Sequence, residues 1–161
     1  MEFNLTNNNG YEWCSCNNLF IRGEVYLQAT GEVIPIEELS CILSSLNSIQ
    51  EISAWLENVD GNYSIVLNKE EKVYLVADRL RTMPVFYSVT PDLVVADGTS
   101  NFSKTSHTFN DACCEQFLAT GYVIGNATML TGVFQVEAGQ VISIHKATKK
   151  IDSNDYFLYK P

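Results

Sequence analysis

The change of hydrophobic period near Asp60 constrains the fold of this chain more than any other feature. Before it, the segment "PIEELSCILSSL" has an apolar residue every three or four positions, at Ile36, Leu39, Leu43 and Leu46. This is the pattern of an amphipathic helix. After it, "GNYSIVL", "KVYLVA", "VFYSV" and "LVVA" are short β-rich runs between turn-forming segments, and they predict a four-stranded antiparallel meander. Helices grouped together and strands in consecutive runs indicate an α+β fold of stacked layers.

Local signals predict the remaining helices and strands. The segment Leu19–Leu27 alternates between apolar and other residues, which predicts a strand. Ser48 followed three residues later by Glu51 is a capping-box pattern and predicts a short second helix. Asn110 can cap a third helix over "DACCEQFLAT", which Gly121 ends. Three closing runs, "GVFQV", "QVISIH" and "KIDSNDYF", are predicted as strands.

Composition and charge exclude several classes of protein. A chain of 161 residues, 46% hydrophobic and 18% charged, fits one globular domain spanning residues 1–161. Its formal charge of −9 would repel a phosphate backbone, so we expect no nucleic-acid partner. The sequence shows no secretory signal and no run of about 18 apolar residues, so we expect no membrane span and a cytoplasmic location.

Cysteine and histidine spacing argues against a metal site. The five cysteines occur as "CSC", a lone Cys41 and an adjacent pair, and only His107 and His145 could assist them. None of these spacings is that of a zinc site. We therefore expect no metal and no cofactor, with thiols that stay reduced as in cytosolic proteins.

Three stretches together resemble the glutamine-hydrolysing, class II domain of asparagine synthetase and its relatives. They are "LENVDGNYSIVLNKEEKVYLVADRLRTMPVFYS", "LVVADGTSNF" and "FLATGYVIGNATMLTGVFQVEAGQVISI". The first is similar to a hairpin with an Asp-Arg-x-Gly-x-x-Pro-Leu-Tyr-Tyr motif, although Arg81 stands where the family has Gly. The matching positions that we expect to be structural are Asp78, Arg79, Pro84, Tyr87, Gly121, Gly125, Gly132 and Gly139.

The resemblance implies an αββα sandwich of antiparallel sheets of the N-terminal-nucleophile (Ntn) hydrolase kind, shortened at its N-terminal end. It also implies a chemistry that this sequence lacks. The family attacks the glutamine amide with a Cys at position 2, where this chain has Glu2. The family's Asn-Gly oxyanion motif is matched by Arg22-Gly23 in "RGEVYL", so the Asn donor is replaced. No segment matches the family's clamp for the glutamine carboxylate.

Other candidate catalytic residues have competing structural explanations. Cys14 and Cys16 could act as nucleophiles after processing of a leader, or they could be small side chains on one face of a strand. Cys113 and Cys114 lie in the first turn of a predicted helix, where packing is the simpler explanation. His107 and His145 are expected at the surface. The pair Asp78-Arg79 is expected to lock a turn, through an ion pair or a set of hydrogen bonds.

These observations lead to one main hypothesis and two alternatives. The main hypothesis is a catalytically inactive glutaminase-like domain that serves as scaffold or partner for an adenylating, amide- or lactam-forming synthetase, in cis or in trans. The last residues, "DYFLYKP", would then lead into the synthetase or dock against it. The alternatives are a stand-alone binding module and an Ntn amidohydrolase that uses Cys14 or Cys16. A homodimer is also compatible with the sequence.

Overall fold

The computed structural model describes residues 1–6, 10–102 and 107–159, and in these ranges the chain forms ten strands and three α-helices. In chain order the elements are β1 (Glu2–Asn4), β2 (Trp13–Cys16), β3 (Leu19–Leu27), α1 (Ile36–Ser45), α2 (Ile49–Leu56), β4 (Val59–Asn68), β5 (Lys72–Ala77), β6 (Phe86–Ser88), β7 (Val94–Ala96), α3 (Asp111–Thr120), β8 (Phe134–Gln135), β9 (Gln140–His145) and β10 (Ile151–Asp155). A single 3-10 turn lies at Thr99–Asn101.

The strands form two sheets. One has six strands in the order β10-β9-β5-β4-β3-β2, and every pair in it is antiparallel. The other has four strands in the order β1-β7-β6-β8, with β1 parallel to β7 and the remaining pairs antiparallel. The expected α+β class is therefore confirmed.

Buried side chains show that the two sheets are stacked. One apolar cluster joins Val66, Leu75 and Ile142 of the six-stranded sheet to Tyr87 and Val95 of the four-stranded sheet. A second cluster lies on the other face of the six-stranded sheet and includes side chains of α1 and α2. A small third cluster lies on the outer face of the four-stranded sheet, on the side of α3. The layers are thus helices, sheet, sheet and helix.

The predicted helix signals act as expected. The Ser48 hydroxyl accepts the amide of Glu51 at 3.2 Å, which caps α2, although the Glu51 carboxylate accepts the amide of Asn47 rather than that of Ser48. The Asn110 side chain accepts the amide of Cys113, and Gly121 ends α3 in the left-handed conformation at φ 81°. The capping residues therefore set the bounds of both helices.

The prediction of one four-stranded meander is wrong. The runs "GNYSIVL" and "KVYLVA" form β4 and β5 of the six-stranded sheet, whereas "VFYSV" and "LVVA" contribute β6 and β7 to the four-stranded sheet. The segment from Asp78 to Val85 carries the chain from one sheet to the other. Periodicity identifies each strand, but it contains no information about which sheet a strand joins.

Three further features of the described residues concern membranes, metals and disulfides. No helix there is long and apolar enough to span a membrane. No group of three or more His, Cys, Asp or Glu side chains is placed to hold a metal ion. All five cysteines are free thiols, and Cys14 and Cys41 are exposed.

Candidate functional site

The segment matched to the oxyanion motif lies on β3, and its two faces have different neighbours. Phe20 packs into the core between the sheets, whereas Leu19 and Ile21 pack into the core beneath the helices. Because successive side chains of a strand point to opposite faces, Arg22 shares the inner face with Phe20. Its partner in the ladder, Trp13 of β2, also packs into the core between the sheets. Arg22 therefore faces the four-stranded sheet.

Arg22 is a buried cation, with 5% of its surface exposed. Its Nε atom donates to the backbone oxygen of Tyr11 at 2.8 Å. A buried guanidinium must be paired or hydrogen-bonded to offset its desolvation. The resemblance implies a neutral Asn side chain as oxyanion donor at this position. The chain has the positively charged side chain of Arg22 there instead.

A buried carboxylate contacts β2 on the same face of the sheet. Asp97 directly follows β7 and is 3% exposed. Its two oxygens accept hydrogen bonds from the indole nitrogen of Trp13 at 2.9 Å and from the side-chain amide of Asn101 at 3.1 Å. Asn101 also donates to the backbone oxygen of Asn4 on β1, at 3.2 Å. These contacts tie the edge of one sheet to the edge of the other. We call Trp13, Arg22, Asp97 and Asn101 the edge cluster.

Most of the edge cluster was not predicted from the sequence. Arg22 was identified from the motif, but Trp13, Asp97 and Asn101 were not. The available signal was the alternation of "EWCSC", which puts Trp13 on the face opposite to the cysteines. The link between Trp13 and Asp97 joins residues 84 positions apart, and no local pattern reports such a contact.

The two cysteines of β2 do not face the edge cluster. Cys14 and Cys16 alternate with Trp13, and they therefore lie on the helix side of the six-stranded sheet. The backbone oxygen of Cys16 accepts the hydroxyl of Ser40 in α1, at 3.2 Å. The structure thus brings Cys14 and Cys16 to one face, as predicted, but places the side chain of Arg22 on the other.

Both histidines are held by other groups. His107 was expected at the surface, and this is wrong: it is 9% exposed, its Nδ1 atom lies 2.9 Å from the backbone oxygen of Thr131, and its ring packs edge-on against Phe102. His145 is half-buried, and its Nδ1 atom accepts the amides of Ala147 and Thr148 in the β9–β10 turn. The packing of His107 against the ring of Phe102 is a tertiary contact that the polarity of the sequence does not reveal.

Asp78 fastens the turn that follows β5. Its carboxylate is fully buried and accepts the amides of Tyr63, Leu80 and Thr82 at 3.2, 2.7 and 3.0 Å. Of the two expected arrangements, a set of hydrogen bonds is therefore the one observed around Asp78. In the described ranges, the only ion pair within 4.0 Å is Lys150–Asp152, on the β9–β10 hairpin.

Arg79 fastens a different part of the chain. Its Nη2 atom donates to the backbone oxygens of Glu57 and Val59, at 3.1 and 3.0 Å. Its guanidinium also lies 4.8 Å from the ring centre of Phe157. Arg79 thus connects the end of α2 to the segment after β10, so residues 156–157 of the predicted docking tail pack on this domain itself. Residues 160–161 of that tail lie outside the described residues.

Two buried tyrosines form a hydrogen-bonded pair near this turn. The Tyr156 hydroxyl donates to the backbone oxygen of Ala77 at 2.7 Å, and the Tyr63 hydroxyl lies 3.1 Å from it. Burial raises the pKa of Tyr63 to about 12 and also raises the pKa of Tyr156. Both phenols are therefore neutral at physiological pH, which suits a structural role.

The other motif positions are spread through the fold. Tyr87 is buried and packs against Phe134, with 5.6 Å between the ring centres. Gly139 is required by packing, because a Cβ atom there would lie 2.4 Å from the backbone oxygen of Phe157. The Gly125 oxygen accepts the side-chain amide of Gln135 at 2.7 Å. The remaining motif positions are the half-buried Pro84, the helix-ending Gly121 and Gly132 beside His107. The two cysteines Cys113 and Cys114, which are not part of the motif, lie in the first turn of α3, where Cys113 is buried.

Gly23 is required by the close approach of β3 and β4. Its φ is 92°, and a Cβ atom there would lie 1.9 Å from the backbone oxygen of Asn62. Any side chain would therefore push the two strands apart. The glycine of the Asn-Gly motif is therefore matched by Gly23. The Asn before it is replaced by Arg22.

Three comparisons relate this chain to known proteins, and one match among them supports the fold. No protein-family model and no curated protein matches this sequence. A solved structure of glutamine phosphoribosylpyrophosphate amidotransferase from B. subtilis matches with a TM-score of 0.50 and 16% identity, over 90% of this chain and 31% of that chain. A structure described as the allosteric regulatory enzyme of purine biosynthesis matches with a TM-score of 0.48 and 17% identity, over 90% of this chain and 30% of that chain.

The first of these matches bears on the fold alone. It supports the predicted Ntn-hydrolase-like sandwich, which is the fold of class II glutamine amidotransferases. This chain spans less than a third of the length of that enzyme, 31%. At 16% identity, residue roles do not transfer from it.

Proposed function

We propose that this protein is a glutaminase-like domain that does not hydrolyse glutamine and that acts as scaffold or partner of an ATP-dependent synthetase of the asparagine synthetase kind. The observation that carries this proposal is the buried Arg22. It is held by the Tyr11 carbonyl, at the place where the resemblance requires a neutral oxyanion donor. Hydrolysis would need a nucleophile beside that position.

The placement of the thiols supports the same proposal. Cys14 and Cys16 lie on the opposite face of the sheet from Arg22, as the alternation of β2 and β3 requires. Among the described residues, neither histidine is hydrogen-bonded to Cys14 or Cys16, and the Nδ1 atoms of both contact backbone groups instead. A synthetase that joins a carboxylate to an amine already present in its substrate needs no ammonia, and loss of glutaminase chemistry is compatible with it.

The experiment that tests the loss of hydrolysis is a glutaminase assay combined with thiol labelling. The protein is incubated with L-glutamine, and glutamate release is compared with that of an active class II enzyme under the same conditions. It is then treated with a diazoketone analogue of glutamine, and its intact mass is measured. We expect no glutamate above the buffer rate and no adduct. Glutamate release that Cys14→Ser or Cys16→Ser abolishes would overturn this part of the proposal.

The partnership with a synthetase is tested separately, first from the gene and then with the assembled protein. The coding frame is read past Pro161, and neighbouring frames are searched for a Ser-Gly-Gly-x-Asp-Ser pyrophosphate loop. We expect such a domain in cis or in trans, and we expect the assembled protein to exchange pyrophosphate into ATP only when a carboxylate substrate is present. The absence of the domain, or exchange that is the same without this chain, would contradict the partnership.

One observation favours a second function, that of a stand-alone binding module. An apolar cavity of about 740 Å³ lies between α3 and the outer face of the four-stranded sheet. Its size is within the range of about 300–1,000 Å³ that is usual for ligand pockets. A domain that has lost its chemistry can still bind a small molecule there, without any synthetase.

A further inference from the structure

The cavity under α3 is lined mainly by large apolar side chains. Phe86 forms part of its wall from the sheet, and Phe117 of α3, Phe109, Tyr122 and Met129 surround it. The last four side chains are between 37% and 67% exposed, so a bound ligand could cover much of their apolar surface. A ligand that covers apolar surface of this kind is bound more tightly as the covered area grows. The wall therefore favours a ligand with an apolar body.

The buried polar side chains of the wall are already engaged. The Thr128 hydroxyl lies 2.9 Å from the backbone oxygen of Val133, and the side-chain amide of Gln135 donates to Gly125. Both side chains are less than 9% exposed. Their hydrogen bonds hold the loop that surrounds the cavity, so they offer little to a ligand.

Arg81 is the exception among the lining residues. Among the described residues that line the cavity, it alone carries a formal charge at neutral pH. Its backbone amide donates to the oxygen of Asp78 at 3.1 Å, but its guanidinium makes no hydrogen bond or ion pair with residues in the described ranges. A guanidinium beside an apolar wall recognises a carboxylate through charge-assisted hydrogen bonds. The chain as a whole has a net charge of −9, so an anion would be attracted to the guanidinium of Arg81 and not to the protein surface in general.

The backbone of Arg81 gives an independent reason to consider it functional. Its φ is 52°, in the left-handed region that a residue with a side chain adopts only at a steric cost. Glycine would occupy this position without that cost. Strained residues of this kind concentrate at binding and active sites.

We propose that the cavity between α3 and the four-stranded sheet binds a small apolar carboxylate, with its apolar body against Phe117 and Phe86 and its carboxylate paired with Arg81. None of the cavity residues belongs to the edge cluster. The proposal therefore holds whether or not the chain partners a synthetase. Charge complementarity selects the anion, and the size of the cavity selects a small molecule rather than a folded partner.

The test compares a charged and an uncharged ligand of the same length. Binding of decanoate and of decanol is measured by calorimetry at about pH 7, where the carboxylate is ionised. We expect saturable binding of decanoate. In Arg81→Gln its dissociation constant should rise about tenfold, because a charge-assisted hydrogen bond is lost. Binding of decanol should change less than about twofold, since the alcohol does not use the charge.

Two matched pairs of variants complete the test. Phe117→Ala should weaken both ligands about tenfold, whereas Leu118→Ala, on the same helix but outside the cavity, should weaken neither. Lys146→Gln removes one positive charge from the β9–β10 turn and should leave decanoate binding unchanged. All variants are checked for unchanged circular dichroism.

Each contrary result overturns the proposal. Wild type without saturable decanoate binding below about 1 mM would exclude the ligand class. Equal loss of decanoate and decanol binding in Arg81→Gln would show that Arg81 only supports the fold. A loss in Lys146→Gln as large as in Arg81→Gln would indicate general charge attraction. Concentration-dependent self-association that Phe117→Ala removes, without decanoate binding, would make the cavity an interface between two copies.

Discussion

The helix-covered faces of the two sheets differ in how well they are sealed. On the six-stranded sheet, α1 and α2 bury Leu39, Leu43, Ile52 and Leu56 to 1% exposure or less. On the four-stranded sheet, α3 buries only Cys113, and Leu118 is 84% exposed. Both sides have a capped helix over a sheet, yet one side is a packed core and the other leaves a pocket that is open to solvent. A capping residue stabilises the end of a helix, but the helix packs against a sheet only where apolar side chains repeat at helical spacing.

This difference indicates a division of roles. The layer of α1 and α2 stabilises the fold, as the continuous cluster of buried side chains there shows. The α3 side retains exposed aromatic surface, which a protein without a ligand or partner for it rarely keeps together in one patch. Three experiments can break or sharpen this comparison.

The largest expected effect comes from truncating one leucine on each side. Leu43→Ala in α1 should lower the free energy of unfolding by about 3 kcal/mol, because it leaves a cavity in a closed core. Leu118→Ala in α3 should lower it by less than about 0.5 kcal/mol, because the side chain is already in solvent. Urea denaturation of both variants measures the two values. Equal losses would show that α3 is packed as tightly as α1.

A smaller effect is expected from alkaline pH, on the sealed side. Burial raises the pKa of Tyr63 to about 12, above its unfolded value of about 10. The stability that Tyr63 contributes is therefore complete below about pH 10 and is lost as pH rises through about 12. At about pH 12 the loss for this one group is about 2 kcal/mol.

The measurement is urea denaturation at a series of pH values up to about 12. In Tyr63→Phe the fall in stability with pH should be smaller than in wild type. Tyr122→Phe is the matched control on the open side, where the side chain is 58% exposed, and its curve should follow the wild-type curve. If Tyr63→Phe also follows the wild-type curve, Tyr63 does not contribute as described.

The smallest effect concerns the strained residue of the open side. Arg81→Gly removes the cost of a left-handed backbone, about 1–2 kcal/mol, but it also makes the unfolded chain more flexible. We expect a net gain of about 0.5 kcal/mol in the free energy of unfolding, together with weaker decanoate binding. A gain of stability together with a loss of decanoate binding would indicate that Arg81 serves ligand binding at a cost in stability. A loss of stability would show that its side chain supports the turn.

The sequence was sufficient for the helices and most strands, because their signals are local. Asn110 and Gly121 bound α3, Ser48 caps α2 and the alternation of Leu19–Leu27 gives β3. It was not sufficient for the assembly of the sheets, since β4 to β7 were expected in one meander and lie in two sheets. The difference lies in the segment after Asp78, whose hydrogen bonds turn the chain from one layer to the next.

The candidate sites divide in the same way. The sequence alone determined that Arg22 replaces the expected amide and that Cys14 and Cys16 share a face, because both follow from position and alternation. Only the tertiary structure decided that Asp97 joins Trp13, that His107 is buried and that Arg81 lines an apolar cavity. Each of these depends on contacts between segments far apart in the chain, which are set by how the layers stack rather than by any local pattern of residues.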